Sequence, residues 1–229
     1  LEIKGSLLAA SLEQKCHGSI RRCAVVMEPE KRWGEITEAT RTILDRTGTE
    51  IISCQNQIDI DYPHGNKIAA LETIKGPAVF LDSDMVMMRP FLTHFSLVGE
   101  DAAAKPADFP TFERSGGNWK PAYDLFNMPT PTETVNATIS GESMLPYYNA
   151  GFIFVKDGRA FANMWLDTAR TIDKSNAVQA KRPWLDQVAL PIAFERLGWK
   201  VAEADIDLNF PGHVRQLPSD DSYVPYIMH

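Results

Sequence analysis

The sequence predicts an α/β fold with one doubly wound, mostly parallel sheet flanked by helices. Three observations lead there. Helical and strand-like hydrophobic periods alternate over the first 84 residues, and such alternation builds βαβ units and a parallel sheet. The strand segments are continuous apolar runs, as in Ala78-Val79-Phe80-Leu81, which suits strands covered on both faces. Of the 229 residues, 44% are hydrophobic and 23% charged, enough apolar material for a sizeable core.

The elements follow in order. Ile3, Leu7, Leu8 and Leu12 give residues 3–15 helical spacing. Cys23 to Met27 is a short apolar run between Arg22 and Glu28-Pro29, and reads as a strand. Residues 34–46 are helical through Ile36, Ala39, Thr40, Ile43 and Leu44, with Gly48 placed to stop the helix. Thr49 to Cys54 reads as a strand. Residues 66–75, carrying Ile68, Leu71 and Ile74, read as a helix ended by Gly76-Pro77, and residues 78–81 as a strand. The pattern opens on a helix where a doubly wound sheet opens on a strand, so the first strand is expected upstream of Leu1. Residues 101–146 are rich in Pro, Thr, Asn and Gly, with one helix near 118–127. A segment of that length and composition predicts a lid or binding insertion. Tyr147 to Val155 is strand-like, residues 158–173 and 184–197 are amphipathic helices, and Trp199 to Ala202 is a last strand. There is no repeat or composition break, so a single domain over 1–229 is expected.

Charge and cysteine usage remove several classes of function. The net charge of −7 argues against a nucleic-acid-binding surface. Cys16, Cys23 and Cys54 make no CxxC or Cys/His pattern, so neither a zinc module nor a disulfide scaffold is supported. No apolar run approaches the length of a membrane span, and no signal peptide is evident. Together these predict a cytoplasmic location.

Five places could carry chemistry. The chain has three Asp-x-Asp triplets, Asp59-Ile60-Asp61, Asp82-Ser83-Asp84 and Asp205-Ile206-Asp207. Only the middle one ends a buried-type strand and holds a small residue, Ser83, between its carboxylates. Ligands of open α/β sheets bind beyond the carboxyl ends of strands, and two carboxylates there can share Mg²⁺ or Mn²⁺. Asn149-Ala150-Gly151 puts small residues into a strand-like run, which marks a bulge, a turn, or the close approach of a ligand to backbone. Asp186-Gln187 falls near a helix start, where an acid also favours the helix dipole. His229 closes the apolar run Tyr226-Ile227-Met228 and could add a nitrogen ligand to two carboxylates; His213 is a second candidate. His17, His64 and His94 have no partner pattern. In Gly65-Asn66-Lys67, Asn66 can cap the following helix, while Lys67 opposes the dipole in its first turn, which suits an anion nearby.

Taken in this order, Val79-Phe80-Leu81-Asp82-Ser83-Asp84, then Asn149-Ala150-Gly151-Phe152, then Asp186-Gln187 and a late His, the chain resembles the GT-A nucleotide-sugar glycosyltransferases. The likeness is to the glycogenin-like and bacterial lipopolysaccharide galactosyltransferase group, and covers residues from about 20 to 229. The Asn-Ala-Gly segment lies at +67 and the Asp-Gln pair at +104 from Asp82, and the combination is more specific than the triplet alone. The resemblance implies a GT-A fold and a Mn²⁺- or Mg²⁺-dependent, retaining hexosyltransferase. Its donor would be a nucleotide-sugar, a UDP-sugar first of all, and its acceptor an unknown saccharide, lipid-linked or protein group. It implies that Asp84 ligates the metal, that Asp82 contacts metal and ribose, and that His229 completes the metal site. It places Lys67, Ser83, Ala150 and Gly151 at the donor. Asn149, Asp186 and Gln187 would stand beside the anomeric carbon, with Asp186 and Gln187 as the catalytic pair. The 101–146 insertion would cover the donor or shape the acceptor site. Two rival readings are a haloacid-dehalogenase-like phosphatase, with Asp82 as nucleophile, Asp84 as general acid and Asp220-Asp221 as late acidic pair, and a non-catalytic nucleotide-sugar-binding module. In the first, Met85-Val86-Met87 stands where a Thr usually follows.

Overall fold

The computed structural model describes residues 2–16, 20–91, 100–219 and 222–229. His17, His94 and the Asp220-Asp221 pair of the phosphatase reading lie outside them. The elements run α1 (Glu2–Lys15), β1 (Arg22–Glu28), α2 (Glu30–Trp33), α3 (Glu38–Arg46), β2 (Thr49–Gln55), α4 (Gly65–Ala70), β3 (Ala78–Leu81), β4 (Val86–Met87) and β5 (Ala102–Pro106). They continue with α5 (Thr111–Arg114), α6 (Trp119–Asp124), β6 (Val135–Asn136), β7 (Ser143–Met144), β8 (Tyr148–Val155), α7 (Gly158–Lys174), α8 (Leu185–Arg196), β9 (Val201–Glu203), a 3₁₀ turn at Ile206–Leu208, and β10 (Ile227–Met228). The result is a mixed α/β fold containing the expected parallel pairs. It gathers into two compact units, residues 1–55, 81–96 and 205–229 in the first and residues 56–80 and 97–204 in the second.

In the first unit β1 and β2 pair in parallel, from Arg22 opposite Thr49 to Glu28 opposite Gln55. Parallel neighbours need a crossover, and α3 is the long helix between them. Thr37 caps α3 by accepting from the Thr40 amide at 3.3 Å. The Glu2 carboxylate of α1 accepts from the Thr37 amide and from the Thr37 and Thr40 hydroxyls, at 3.1, 2.7 and 2.6 Å. These bonds, the Thr40 hydroxyl first, hold the Glu2 carboxyl below its ordinary value. A group whose native pKa is depressed stabilises the fold above the unfolded value and loses that contribution as pH falls through the native value. Acidification below the usual glutamate range should therefore loosen α1 from α3. Amide exchange at Thr37 and Thr40 measures it; unchanged protection between neutral and acid pH would rule the linkage out.

The helical period of residues 3–15 is present, but the buried face is not its large apolar set. Ser6, Leu8, Ala9 and Ser11 are buried, whereas Ile3 and Leu7 stay exposed. Ser11 explains the choice: its hydroxyl donates to the Leu8 carbonyl at 2.8 Å and accepts from the Met87 amide at 3.0 Å. The amide of β4 thereby finds a side-chain partner that an apolar residue could not supply.

In the second unit the strand order is β3-β8-β5-β9. β9 runs parallel to β5 and β8 antiparallel to it. β5 is buried at every residue and lies inside 101–146, so the first part of that segment is core sheet. Its run Ala-Ala-Ala-Lys-Pro has weak strand propensity, and burial between two strands overrides it. Phe112, Trp119 and Tyr123 from the same segment join the core; Phe112 meets Trp119 edge-on at 4.9 Å. On the other side Phe161 stacks on Phe194 at 5.0 Å and leans on Trp165 at 5.2 Å, fixing α7 against α8. Each such ring pair adds about 0.5–1.5 kcal/mol beyond the area it buries.

The helix expected over 66–75 is shorter. It begins at Gly65 and ends at Ala70, and turns replace its last part. Asn66 does not cap it: the preceding turn already supplies the bonds, Gly65 N–H to the Tyr62 carbonyl and Asn66 N–H to the Pro63 carbonyl. The Asn66 side chain instead accepts from Asn56 Nδ2 at 2.9 Å.

Candidate functional site

The first unit brings Asp82, Asp84 and His229 together. One ligand atom from each lies within 4.8 Å of the others. Asp82 follows Leu81, the last residue of β3, and a turn closed by the Met85 amide on the Asp82 carbonyl at 3.1 Å carries the chain past Ser83 and Asp84 into β4. Met85 and Met87 are buried and Val86 only half-buried. That alternation fixes the face of β4 and turns Asp84 outward.

His229 arrives through strand pairing. β10 lies antiparallel to β4, Ile227 opposite Met87 and Met228 opposite Val86. One step further along that register is His229, beside the Asp84 end. Its backbone is clamped from the other side: its amide donates to the Phe210 carbonyl at 2.8 Å and its carbonyl accepts from the Gly212 amide at 2.9 Å. Gly212 eases that approach, since a Cβ there would stand 2.5 Å from Met228 Sδ and push that side chain aside. His229 Nε2 faces Asp84 Oδ1 at 3.4 Å, and Lys4 Nζ approaches Asp84 Oδ2 at 3.6 Å. His213 packs edge-on against the His229 ring at 5.8 Å, and the three-residue cluster holds His229, not His213.

Two carboxylates and an imidazole form a donor set for a divalent cation. Acidic oxygens suit Mg²⁺ and Mn²⁺, and the added imidazole favours the softer Mn²⁺. The residues present therefore fit such an ion.

The second unit holds Asp186, Lys67 and Asn149. Asp186, at the start of α8, is completely buried. The Tyr62 hydroxyl donates to the Pro183 carbonyl at 2.8 Å and shares that proton at longer range with Asp186 Oδ1 at 3.3 Å, while its oxygen accepts from the Asp186 amide at 3.3 Å. The Asp186 carbonyl accepts from Trp165 Nε1 at 2.9 Å. Among the described residues Oδ2 makes no hydrogen bond, although Lys67 Nζ and His64 Nδ1 stand 3.8 and 3.9 Å away. A desolvated carboxylate oxygen without a donor costs about 1–3 kcal/mol, a cost concentrated at functional sites. Burial and the Asp186 charge push the Tyr62 phenol far above its ordinary value, so it stays a hydrogen-bond donor. Gln187 follows on α8, half-buried. Pro191 lies four residues further within the same helix and has no N–H to give to the Gln187 carbonyl.

Asn149-Ala150-Gly151 is a bulge. Along their pairing β5 advances from Ala104 to Pro106 while β8 advances from Ile153 back to Tyr148, so β8 carries three extra residues at that place. Asn149 Oδ1 accepts from the Gly151 amide at 2.8 Å, holding the bulge from within.

Some residues at these clusters carried no sequence signal. Tyr62 and His64 reach Asp186 across more than 120 positions. Asn209, which meets His229 Nδ1 at 2.9 Å, shows in sequence only as an amide between Leu208 and Phe210.

The chain's fold recurs among solved glycosyltransferases. The structure aligns with GlyE of Streptococcus pneumoniae TIGR4 with a TM-score of 0.58 at 15% identity, covering 99% of this chain and 51% of that one. It aligns with an active-site mutant of LgtC with a TM-score of 0.59 at 13% identity, covering 100% of this chain and 82% of that one. Mouse xyloside xylosyltransferase 1 gives 0.54 at 12% identity, covering 100% and 91%. The chain thus spans about half of GlyE and most of the other two, and at these identities the likeness establishes the GT-A fold. No curated protein matches it by sequence. Residues 1–198 match the family described as the Rhodobacterales glycosyltransferase domain, and the chain belongs to that family.

Proposed function

We propose that this glycosyltransferase takes a UDP-sugar and uses a divalent ion, Mn²⁺ first, to transfer a hexose with retention to a hydroxyl acceptor. The observation that carries the reading is the convergence of Asp82, Asp84 and His229 within 4.8 Å. Asp84 and His229 would hold the ion directly, and Asp82 would serve both the ion and the donor ribose. When bound, the cation offsets the charge that builds on the departing diphosphate. Ser83, exposed in the turn between the two acids, leaves room for the donor's close approach.

The second unit's residues are assigned the sugar. Asp186 and Gln187 stabilise the positive charge that grows at the anomeric carbon, as carboxylates do in glycoside hydrolysis. The unsatisfied Asp186 Oδ2 supports this, since a buried acceptor held by Tyr62 needs no reorganisation as that charge develops. Lys67 pairs with donor oxygens, and the Asn149-Ala150-Gly151 bulge offers a side-chain amide and bare backbone to the sugar. The part of 101–146 beyond β5 is assigned to the acceptor. The phosphatase reading is not favoured, because the matched family transfers sugars.

Calorimetry with UDP and UDP-sugars, each with and without Mn²⁺, tests the proposal. Mn²⁺-dependent binding followed by slow release of free sugar is expected. Equal affinity with and without the ion would remove the metal role, and no affinity for UDP or any UDP-sugar with Mn²⁺ present would remove UDP.

A further inference from the structure

The side chain of Asn209 stands behind His229. It is fully buried, an unusual place for a carboxamide, and its Oδ1 lies 2.9 Å from His229 Nδ1. An amide oxygen only accepts, so the proton of this bond belongs to Nδ1. In the neutral ring Nε2 then carries the lone pair, and Nε2 is the nitrogen that faces Asp84 Oδ1 at 3.4 Å. The backbone around the pair leaves the ring little choice of position. Asn209 follows the 3₁₀ turn, its own amide donating to the Ile206 carbonyl at 3.1 Å. The next residue, Phe210, bridges to Met228 and exchanges bonds with Ile227 and His229. Two short segments, 209–212 and 227–229, are thus bonded by backbone and by the part-buried Asn209–His229 side-chain bond.

Metal-bound imidazoles usually give their second N–H to an acceptor that fixes tautomer and ring orientation. Resting on the metal-site reading above, we infer that Asn209 is a positioning residue for the cation. It holds His229 as the neutral Nδ1–H tautomer and aims Nε2 at the space it shares with Asp82 and Asp84. Asn209 acts through His229 and touches neither donor nor ion. A carboxylate in its place would accept the same proton, whereas an alkyl side chain of similar size would leave Nδ1 without its acceptor and the ring free to present either nitrogen.

Two measurements decide it. In metal-free wild-type protein, with the pH raised until the ring is neutral, long-range ¹H–¹⁵N spectra of the histidine rings should show His229 as the Nδ1–H tautomer; an Nε2–H tautomer overturns the inference. Titration of Mn²⁺ alone by calorimetry should show Asn209→Leu binding about 10- to 100-fold more weakly than wild type. Asn209→Asp should bind within a few-fold of wild type, and His229→Ala at least as weakly as Asn209→Leu. If Asn209→Leu binds like wild type while His229→Ala is weakened, the inference fails and the metal site stands. If His229→Ala also binds like wild type, the metal-site reading falls, and the tautomer spectrum still decides the Asn209 bond. Should Asn209→Leu not fold, the spectrum and Asn209→Asp carry the test.

Discussion

Asp84→Ala should abolish Mn²⁺-dependent binding of UDP and lower sugar transfer by about 10³-fold, roughly 4 kcal/mol of barrier. Asp84 sits at the centre of its cluster, with His229 on one carboxylate oxygen and Lys4 on the other. Removing it takes away one of three ligands and leaves Asp82 and His229 with Lys4 nearby, a poorer site for a cation. The fold should survive, because Asp84 is exposed and surface ion pairs such as that with Lys4 contribute only about 0–1 kcal/mol. Calorimetry with UDP and Mn²⁺ beside a thermal melt separates the two effects. Retained metal dependence in a folded Asp84→Ala protein would sink the assignment, and a collapsed melt would show the residue to be structural.

Asp186→Asn should reduce kcat by about 10²- to 10³-fold while leaving the melting temperature unchanged or raised. The reasoning is electrostatic. The carboxylate is wholly buried, one oxygen has no hydrogen bond among the described residues, and Lys67 Nζ and His64 Nδ1 stand 3.8 and 3.9 Å from it. A structural acid would be better satisfied. An amide keeps the acceptor for the Tyr62 hydroxyl and gives up the desolvated charge, so folding loses little. Catalysis loses the negative charge that meets the oxocarbenium-like carbon. Single-turnover kinetics beside thermal denaturation provide the check. A large fall in melting temperature with kcat intact would make Asp186 a core polar residue.

Much of the fold was legible. The strands at 22–28, 49–55, 78–81 and 148–155 and the helices at 2–15, 38–46, 158–174 and 185–196 stand where the periods predicted them, since each carries its own local pattern. β5 was not legible, because Ala102-Ala103-Ala104 carries no strand preference and becomes a strand through its neighbours. Lys105 within it is fully buried, paired with Asp108 and 3.2 Å from Thr138 Oγ1. Desolvation pushes its ammonium below the ordinary lysine value. No pattern of residue types announces a lysine in a core. β4 and β10, two residues each, are too short for any period to register.

The candidate site divides along the same line. The Asp82-Ser83-Asp84 triplet could be picked from three such triplets because an apolar strand precedes it, and strand ends are where ligands bind. The family followed from the order and spacing of the later motifs. The sequence by itself thus determined an α/β chain of the sugar-transferase family. The resemblance had put His229 ahead of His213; the tertiary structure showed how it reaches the two acids, through the register of two very short strands, and set Asn209 behind it. Only it showed Asp186 buried with an unsatisfied oxygen, beside a Tyr62 and a His64 that nothing in the sequence marked. The reason is physical: local periodicity records which way a segment faces, whereas ligand geometry and desolvation depend on partners 20 or 124 positions away, which only the folded chain brings within reach.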